Sequence, residues 1–161
     1  MRGGVPAAML LCAAFGVALA FAPRRVWLAC LGLVAMAATM GFALKPPAAA
    51  VDAVFLCGWL STVACAAMVH LRDGVPARLA LLLAADAGMW SGAMIAFEGR
   101  WFHLPVAWLC TLALVPAALA VHWRVPIAAK VVSSWLIAVA VLAAALPYLP
   151  VTPGYLPDHL E

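Results

Sequence analysis

The chain has 161 residues, of which 69% are hydrophobic and only 9% charged, and its formal net charge is +3. A soluble domain carries about a quarter charged residues, so the charged side chains here are too few to cover a water-soluble surface. Disorder is excluded because apolar residues are in excess. Nucleic-acid binding is excluded because the basic residues are dispersed along the chain rather than clustered.

Six apolar runs follow one another between breaks that are charged or rich in proline and glycine. A helix needs about 20 apolar residues to cross a hydrocarbon core about 30 Å thick. Only helices and closed barrels satisfy their backbone groups in lipid, and uninterrupted runs of Ala, Leu and Met without alternation favour helices. The prediction is an all-α, polytopic membrane bundle formed by a single domain, residues 1–150. Its six transmembrane helices are predicted at residues 5–22, 26–44, 52–71, 79–97, 105–122 and 127–146.

The orientation of the bundle follows from its Lys and Arg residues. Six of them lie in or next to the first, third and fifth breaks, whereas Arg2, Lys45 and Arg100 lie on the other side. Because Lys and Arg are enriched on the cytoplasmic side, both termini are predicted to be non-cytoplasmic, in the inner or plasma membrane. The first run also ends in an A-x-A-like sequence typical of a cleaved signal peptide, but we expect this helix to be retained. Residues 151–161 are predicted to form a short, Pro-rich extramembrane tail.

The two halves of the chain share short sequence matches. GVPA opens the first run at residue 4 and the fourth at residue 74, and Trp-Leu recurs at residues 27 and 108 and at residues 59 and 135. These matches predict a 3+3 inverted-topology repeat with halves 4–71 and 74–146, an architecture common in transporters. Two alternatives stay open. HLR at residue 70 and HWR at residue 122 fit a repeated hairpin instead, and apolar identities also arise by coincidence in such a chain.

Asp86 is the polar residue that most needs an explanation. It lies in the fourth run, about 10 Å inside the membrane boundary at 1.5 Å per residue. An Asp at a helix centre costs about 2.5–3.5 kcal/mol to insert, so it normally faces the bundle interior or a water-filled cavity. There it would bind a cation, carry a proton or counter a positively charged substrate. The alternative is a neutral Asp86 that is hydrogen-bonded to a nearby hydroxyl or paired with Lys130.

Small polar side chains on two other runs are candidates to line a pathway with Asp86. Ser61 and Thr62 lie in the third run, and Lys130, Ser133 and Ser134 lie in the sixth. Helix–helix contacts in lipid recruit the same residue types, so packing is the alternative role for these hydroxyls.

Several further residues are predicted to have structural roles. Gly88 and Gly92 form a G-x-x-x-G spacing, and with Gly58 they are predicted to let helices pack closely. Pro116 is expected to kink the fifth helix. His70 and His122 end two helices on the same predicted side, as a bis-imidazole haem would require. Histidines beside arginine are also ordinary interface residues, and no spacing of ligands supports a metal site.

Three functions fit these features. The first is a small-solute or ion transporter or channel with Asp86 on its path. The second is a non-catalytic structural or assembly subunit of a larger membrane complex, and the third is a haem- or quinone-binding redox anchor. Catalysis is not predicted, since no nucleophile–base set, paired carboxylates or phosphate loop is visible, and no other cofactor is expected. The expected partners are the lipid bilayer and either other membrane subunits or further copies of the chain.

Overall fold

The computed structural model describes residues 3–97 and 100–148. Within these ranges the chain is helical and contains no strand, which confirms the all-α prediction. The predicted tail, residues 151–161, lies outside the described residues. The α-helices are α1 Gly4–Leu19, α2 Trp27–Ala43, α3 Val51–Met68, α4 Ala77–Ala96, α5 His103–Leu109, α6 Leu114–His122 and α7 Pro126–Ala145.

Five helical segments among the described residues are long and apolar enough to cross a membrane. They are Arg24–Ala43, Ala48–Met68, Ala77–Ala96, His103–His122 and Pro126–Tyr148, and they correspond to the predicted runs two to six. Helix α1 has only 16 residues. At 1.5 Å per residue it is about 24 Å long, which is less than the thickness of the hydrocarbon core. The prediction of a helical chain with several helices long and apolar enough to span a membrane is therefore confirmed. The predicted number of six spanning helices depends on this short helix.

Helix α1 forms the centre of the bundle. It packs against α3, α4, α5 and α6, and to a smaller extent against α7. Leu11, Phe15 and Leu19 are among the largest side chains that are fully buried. The interior of the bundle is therefore filled by apolar side chains of its first helix.

Helix α2 lies at the side of the bundle and packs mainly on α4. A Cβ atom added at Gly88 would lie 2.5 Å from the carbonyl oxygen of Val34. One added at Gly92 would overlap the carbonyl oxygen of Ala38. In lipid, where the hydrophobic effect does not drive helices together, close packing of this kind holds two helices side by side.

The fifth span is interrupted by a turn of 3-10 helix, Cys110–Ala113, between α5 and α6. Pro116 has no N–H to donate to the carbonyl four residues earlier, so the regular helix is broken just before it. The interruption lies where the sequence predicts a kink, just before Pro116. A Cβ at Gly16 of α1 would overlap the carbonyl oxygen of Thr111, so the broken segment lies directly on the central helix.

The two GVPA segments stand at the starts of α1 and α4 but adopt different conformations. Gly4 is the first residue of α1, whereas Gly74 precedes α4 in a turn with φ +73°. In that turn the backbone N–H of Val75 donates a 3.0 Å hydrogen bond to the carbonyl of Phe21. The turn between α3 and α4 is thereby attached to the end of the central helix.

Candidate functional site

Asp86 lies midway along the 20-residue helix α4. Its Cα is about 14 Å from the start of the helix at 1.5 Å per residue, deeper than the sequence predicts because α4 begins two residues earlier. The side chain is half-buried rather than enclosed. The carboxylate therefore lies near the middle of a membrane-spanning segment.

Two side chains donate hydrogen bonds to this carboxylate. The hydroxyl of Ser61 on α3 donates to Oδ2, and the indole N–H of Trp90 donates to Oδ1 at 2.9 Å. Hydrogen bonds to an ionised group are stronger than those between neutral groups. The hydrogen bond from Ser61 to the Asp86 carboxylate therefore links α3 to α4, and each carboxylate oxygen accepts one hydrogen bond.

The surroundings of Asp86 show on which side the site is open. Leu82, one turn earlier on α4, is 66% exposed, and Leu60, next to Ser61 on α3, is 57% exposed. Among the described residues no basic side chain forms an ion pair with Asp86. We call the group of Asp86, Ser61 and Trp90 the Asp86 site. It lies at the edge of the α3–α4 contact and is partly exposed at the outer surface of the bundle.

The other small polar residues of α3 and α4 take part in contacts within the bundle. Thr62 is buried and donates to the carbonyl of Gly58, four residues earlier on the same helix, at 2.9 Å. The buried hydroxyl of Ser91 donates to the carbonyl of Gly88, three residues earlier on α4, at 2.9 Å. A Cβ at Gly58 would lie 2.7 Å from the sulfur of Met94, so this glycine lies against α4. Hydroxyls bonded to their own helix backbone are satisfied without a ligand.

The predicted residues of α7 are not hydrogen-bond partners of Asp86. Ser134 is exposed, donates to the carbonyl of Lys130 at 3.0 Å and lies 3.5 Å from Nε2 of His70. Lys130 is half-buried. Ser133 is fully buried, and its hydroxyl has no hydrogen-bond partner among the described residues. Of the predicted pathway residues, the structure brings together Asp86 and Ser61.

The two histidines considered for haem are both exposed. His70 follows the end of α3, and His122 is the last residue of α6. Within residues 3–97 and 100–148, no group of three or more His, Cys, Asp or Glu side chains could hold a metal ion. Haem binding at this pair stays a prediction.

Sequence reasoning missed Trp90 as a member of the site. Trp90 follows Asp86 by four residues, the spacing at which side chains meet on one face of a helix. That spacing could have identified Trp90 as a hydrogen-bond partner of Asp86, because the indole N–H is one of the few strong donors in this apolar chain.

Two of the cavities among the described residues have linings that do not include Asp86. One, of about 480 Å³, lies where α3 begins and α7 ends, and Asp52, Trp59 and Tyr148 line part of it. The other, of about 380 Å³, lies between α2 and α5 and has an almost entirely apolar wall. The chain matches no family model, and neither a curated protein nor a solved structure shows significant similarity to it.

Proposed function

We propose that this protein is a non-catalytic subunit that associates with other membrane-spanning helices through the Asp86 site. The observation that carries the proposal is a half-buried carboxylate midway along α4, at the outer edge of the α3–α4 contact. A charged group exposed to hydrocarbon is costly, and a partner helix with a basic or amide side chain at the same depth would lower that cost.

The interior of the bundle supports assembly over transport through a single chain. The large apolar side chains of α1, including Leu11 and Phe15, fill the centre. Neither cavity is lined by Asp86. A path for a solute through one copy of the chain would therefore have to displace its central helix.

Ion or proton transport is the second candidate, and the hydrogen bonds of Asp86 favour it. The Ser61 hydroxyl and the Trp90 indole take the place of part of the water that would solvate the carboxylate outside the membrane. In this candidate function Asp86 exchanges a proton or small cation along its membrane-facing edge, and a second subunit completes the path.

Purification in mild detergent tests the assembly proposal. We expect the wild-type chain to retain a defined set of membrane partners, and Asp86→Asn to lose at least one of them. Asp73→Asn, which removes a carboxylate from the exposed turn before α4, is the matched control and should retain them all. Each purified chain is also melted in detergent to show that it is folded.

Two outcomes would contradict assembly through Asp86. One is a wild-type chain that purifies alone, and the other is a folded Asp86→Asn variant with unchanged partners. Proteoliposomes of the purified chain test the second candidate. A proton or cation flux that Asp86→Asn abolishes and Asp73→Asn preserves would favour transport.

We also propose that the two halves, 4–71 and 74–146, are inverted repeats. The packing of α2 on α4 has its counterpart in the packing of α5 and α6 on α1, and α3 pairs with α7. A two-fold axis in the membrane plane that exchanges equivalent helices would produce these same contacts. The central position of α1 departs from the symmetry, since α1 packs closely on α3 while α4 makes little contact with α7 within the described residues.

A further inference from the structure

The cavity between α2 and α5 opens on the outer surface of the bundle. Ala35, Ala38 and Thr39 of α2 form one wall, and Trp101, Leu104 and Trp108 form the other. We call it the α2–α5 groove. Its volume of about 380 Å³ is within the range of small-molecule sites, which is about 300–1,000 Å³. Its apolar lining and its place among membrane-spanning segments suit a hydrocarbon chain.

The two tryptophans of the groove differ in role. Trp108 donates its indole N–H to the carbonyl of Leu31 on α2 at 3.2 Å, so it joins the two helices at the groove. Trp101 precedes α5 and is 71% exposed. Tryptophan prefers the membrane–water boundary, where an apolar ring meets a polar headgroup. Trp101 therefore indicates the end of the groove that lies near the membrane surface.

Two cations lie at that same end. Lys45 follows the end of α2, Arg100 precedes α5, and both are exposed. The guanidinium of Arg100 lies 5.5 Å from the centre of the Phe102 ring, which restrains it beside the start of α5. Basic residues at a membrane surface attract anionic headgroups. An apolar groove with cations at its surface end is complementary to a molecule that has an apolar chain and an anionic headgroup.

We propose that the α2–α5 groove binds one anionic phospholipid, with an acyl chain between the two helices and its phosphate near Lys45 and Arg100. This inference is independent of the Asp86 site, which belongs to α3 and α4. The two cations select lipids by the charge of the headgroup, and the apolar walls select them by how well the acyl chain packs. A phosphatidylglycerol is therefore retained in preference to a phosphatidylcholine with the same acyl chains.

Native mass spectrometry of the full chain tests this proposal. The protein is released from micelles that contain equal amounts of phosphatidylglycerol and phosphatidylcholine, and the retained lipid is counted. We expect one phosphatidylglycerol per chain in the wild type. Replacing Lys45 or Arg100 by Gln should lower the preference for phosphatidylglycerol about fivefold each, the effect of roughly one near-surface charge. Arg25→Gln, at the opposite end of α2, is the matched control and should leave the preference unchanged.

A second pair of variants separates the groove from the charges. Ala35→Leu places a larger side chain in the groove and should abolish lipid retention. Ala29→Leu adds the same side chain at an exposed position of α2 outside the groove and should preserve it. Retention by a folded Ala35→Leu variant would overturn the proposal. It would also be overturned if the wild-type chain formed a dimer that Ala35→Leu dissociates, because a second copy would then occupy the groove.

Discussion

At the scale of single residues, hydrogen bonds determine whether a carboxylate can lie in the middle of a membrane. Asp86 lies where insertion of an Asp costs about 2.5–3.5 kcal/mol. The donors on Ser61 and Trp90 replace part of the water that the carboxylate would bind outside the membrane. Asp86 should therefore contribute to the stability of the α3–α4 contact as well as to any function.

Removal of the Ser61 hydroxyl should weaken this contact. We expect Ser61→Ala to lower the free energy of unfolding by about 1–2 kcal/mol. This lies between the effects typical of hydrogen bonds in membranes and of hydrogen bonds to charged groups. Unfolding in mixed micelles with increasing SDS measures the change.

Ser134→Ala is the matched control for this prediction. Its hydroxyl is exposed and donates to the carbonyl of Lys130 on its own helix, so its loss should change the stability little. If the two substitutions lowered the free energy of unfolding equally, the Ser61–Asp86 hydrogen bond would make no specific contribution to stability.

Sequence reasoning at this scale identified two of the three residues of the Asp86 site. Asp86 and Ser61 were predicted, because an acid in an apolar run and hydroxyls in the adjacent run stand out in composition. The α7 residues were grouped with them, since spacing along one helix does not show which neighbouring helix that face meets. In the structure the polar side chain beside Ser134 is His70 rather than Asp86.

At the scale of elements, close backbone contact between α2 and α4 is the clearest packing feature. A methyl group at Gly92 would overlap the Ala38 carbonyl, so the two helices would have to move apart. We expect Gly92→Ala to lower the free energy of unfolding by about 1–3 kcal/mol, as for overpacking in a tight core. The same SDS titration measures it.

Gly32 offers the comparison on the same pair of helices. A Cβ at Gly32 meets nothing within 4 Å, so Gly32→Ala introduces no clash. Alanine is favoured over glycine in a helix by about 0.5–1 kcal/mol, so this variant should be as stable as the wild type or slightly more so. A Gly92→Ala variant as stable as Gly32→Ala would refute the close contact.

The positions of the helices were predictable, and their arrangement was not. The runs predicted at residues 26–44 and 127–146 agree to within one or two residues with α2 and α7, because breaks such as Arg24-Arg25 and Val125-Pro126 end an apolar stretch. The central place of α1 could not be predicted, since a helix that is hydrophobic on every side gives no indication of which face is buried.

At the scale of the whole molecule, the distribution of Lys and Arg makes the orientation testable. We expect a cysteine in place of Lys45 to react with a membrane-impermeant maleimide in intact cells. A cysteine in place of Arg25 should react only after the cells are permeabilised. Both positions are exposed at opposite ends of α2. The reverse pattern would place both termini in the cytoplasm.

The wild-type chain provides the background for this labelling. All of its cysteines lie within helices or the 3-10 turn of the fifth span, and none belongs to an extramembrane break. Labelling of the wild type should accordingly be weak on both sides. Strong labelling of the wild type would require cysteine-free variants before the orientation is read.

The central position of α1 has a consequence for how the protein is made. During synthesis α1 leaves the ribosome before the helices that enclose it in the finished bundle, α3 to α7. Until those helices are inserted, the 16-residue α1 must remain in the lipid or at the insertion machinery without its packing partners. Completion of the fold is thus a late, post-insertion event, and nascent chains that stop before α4 should be prone to degradation by membrane proteases.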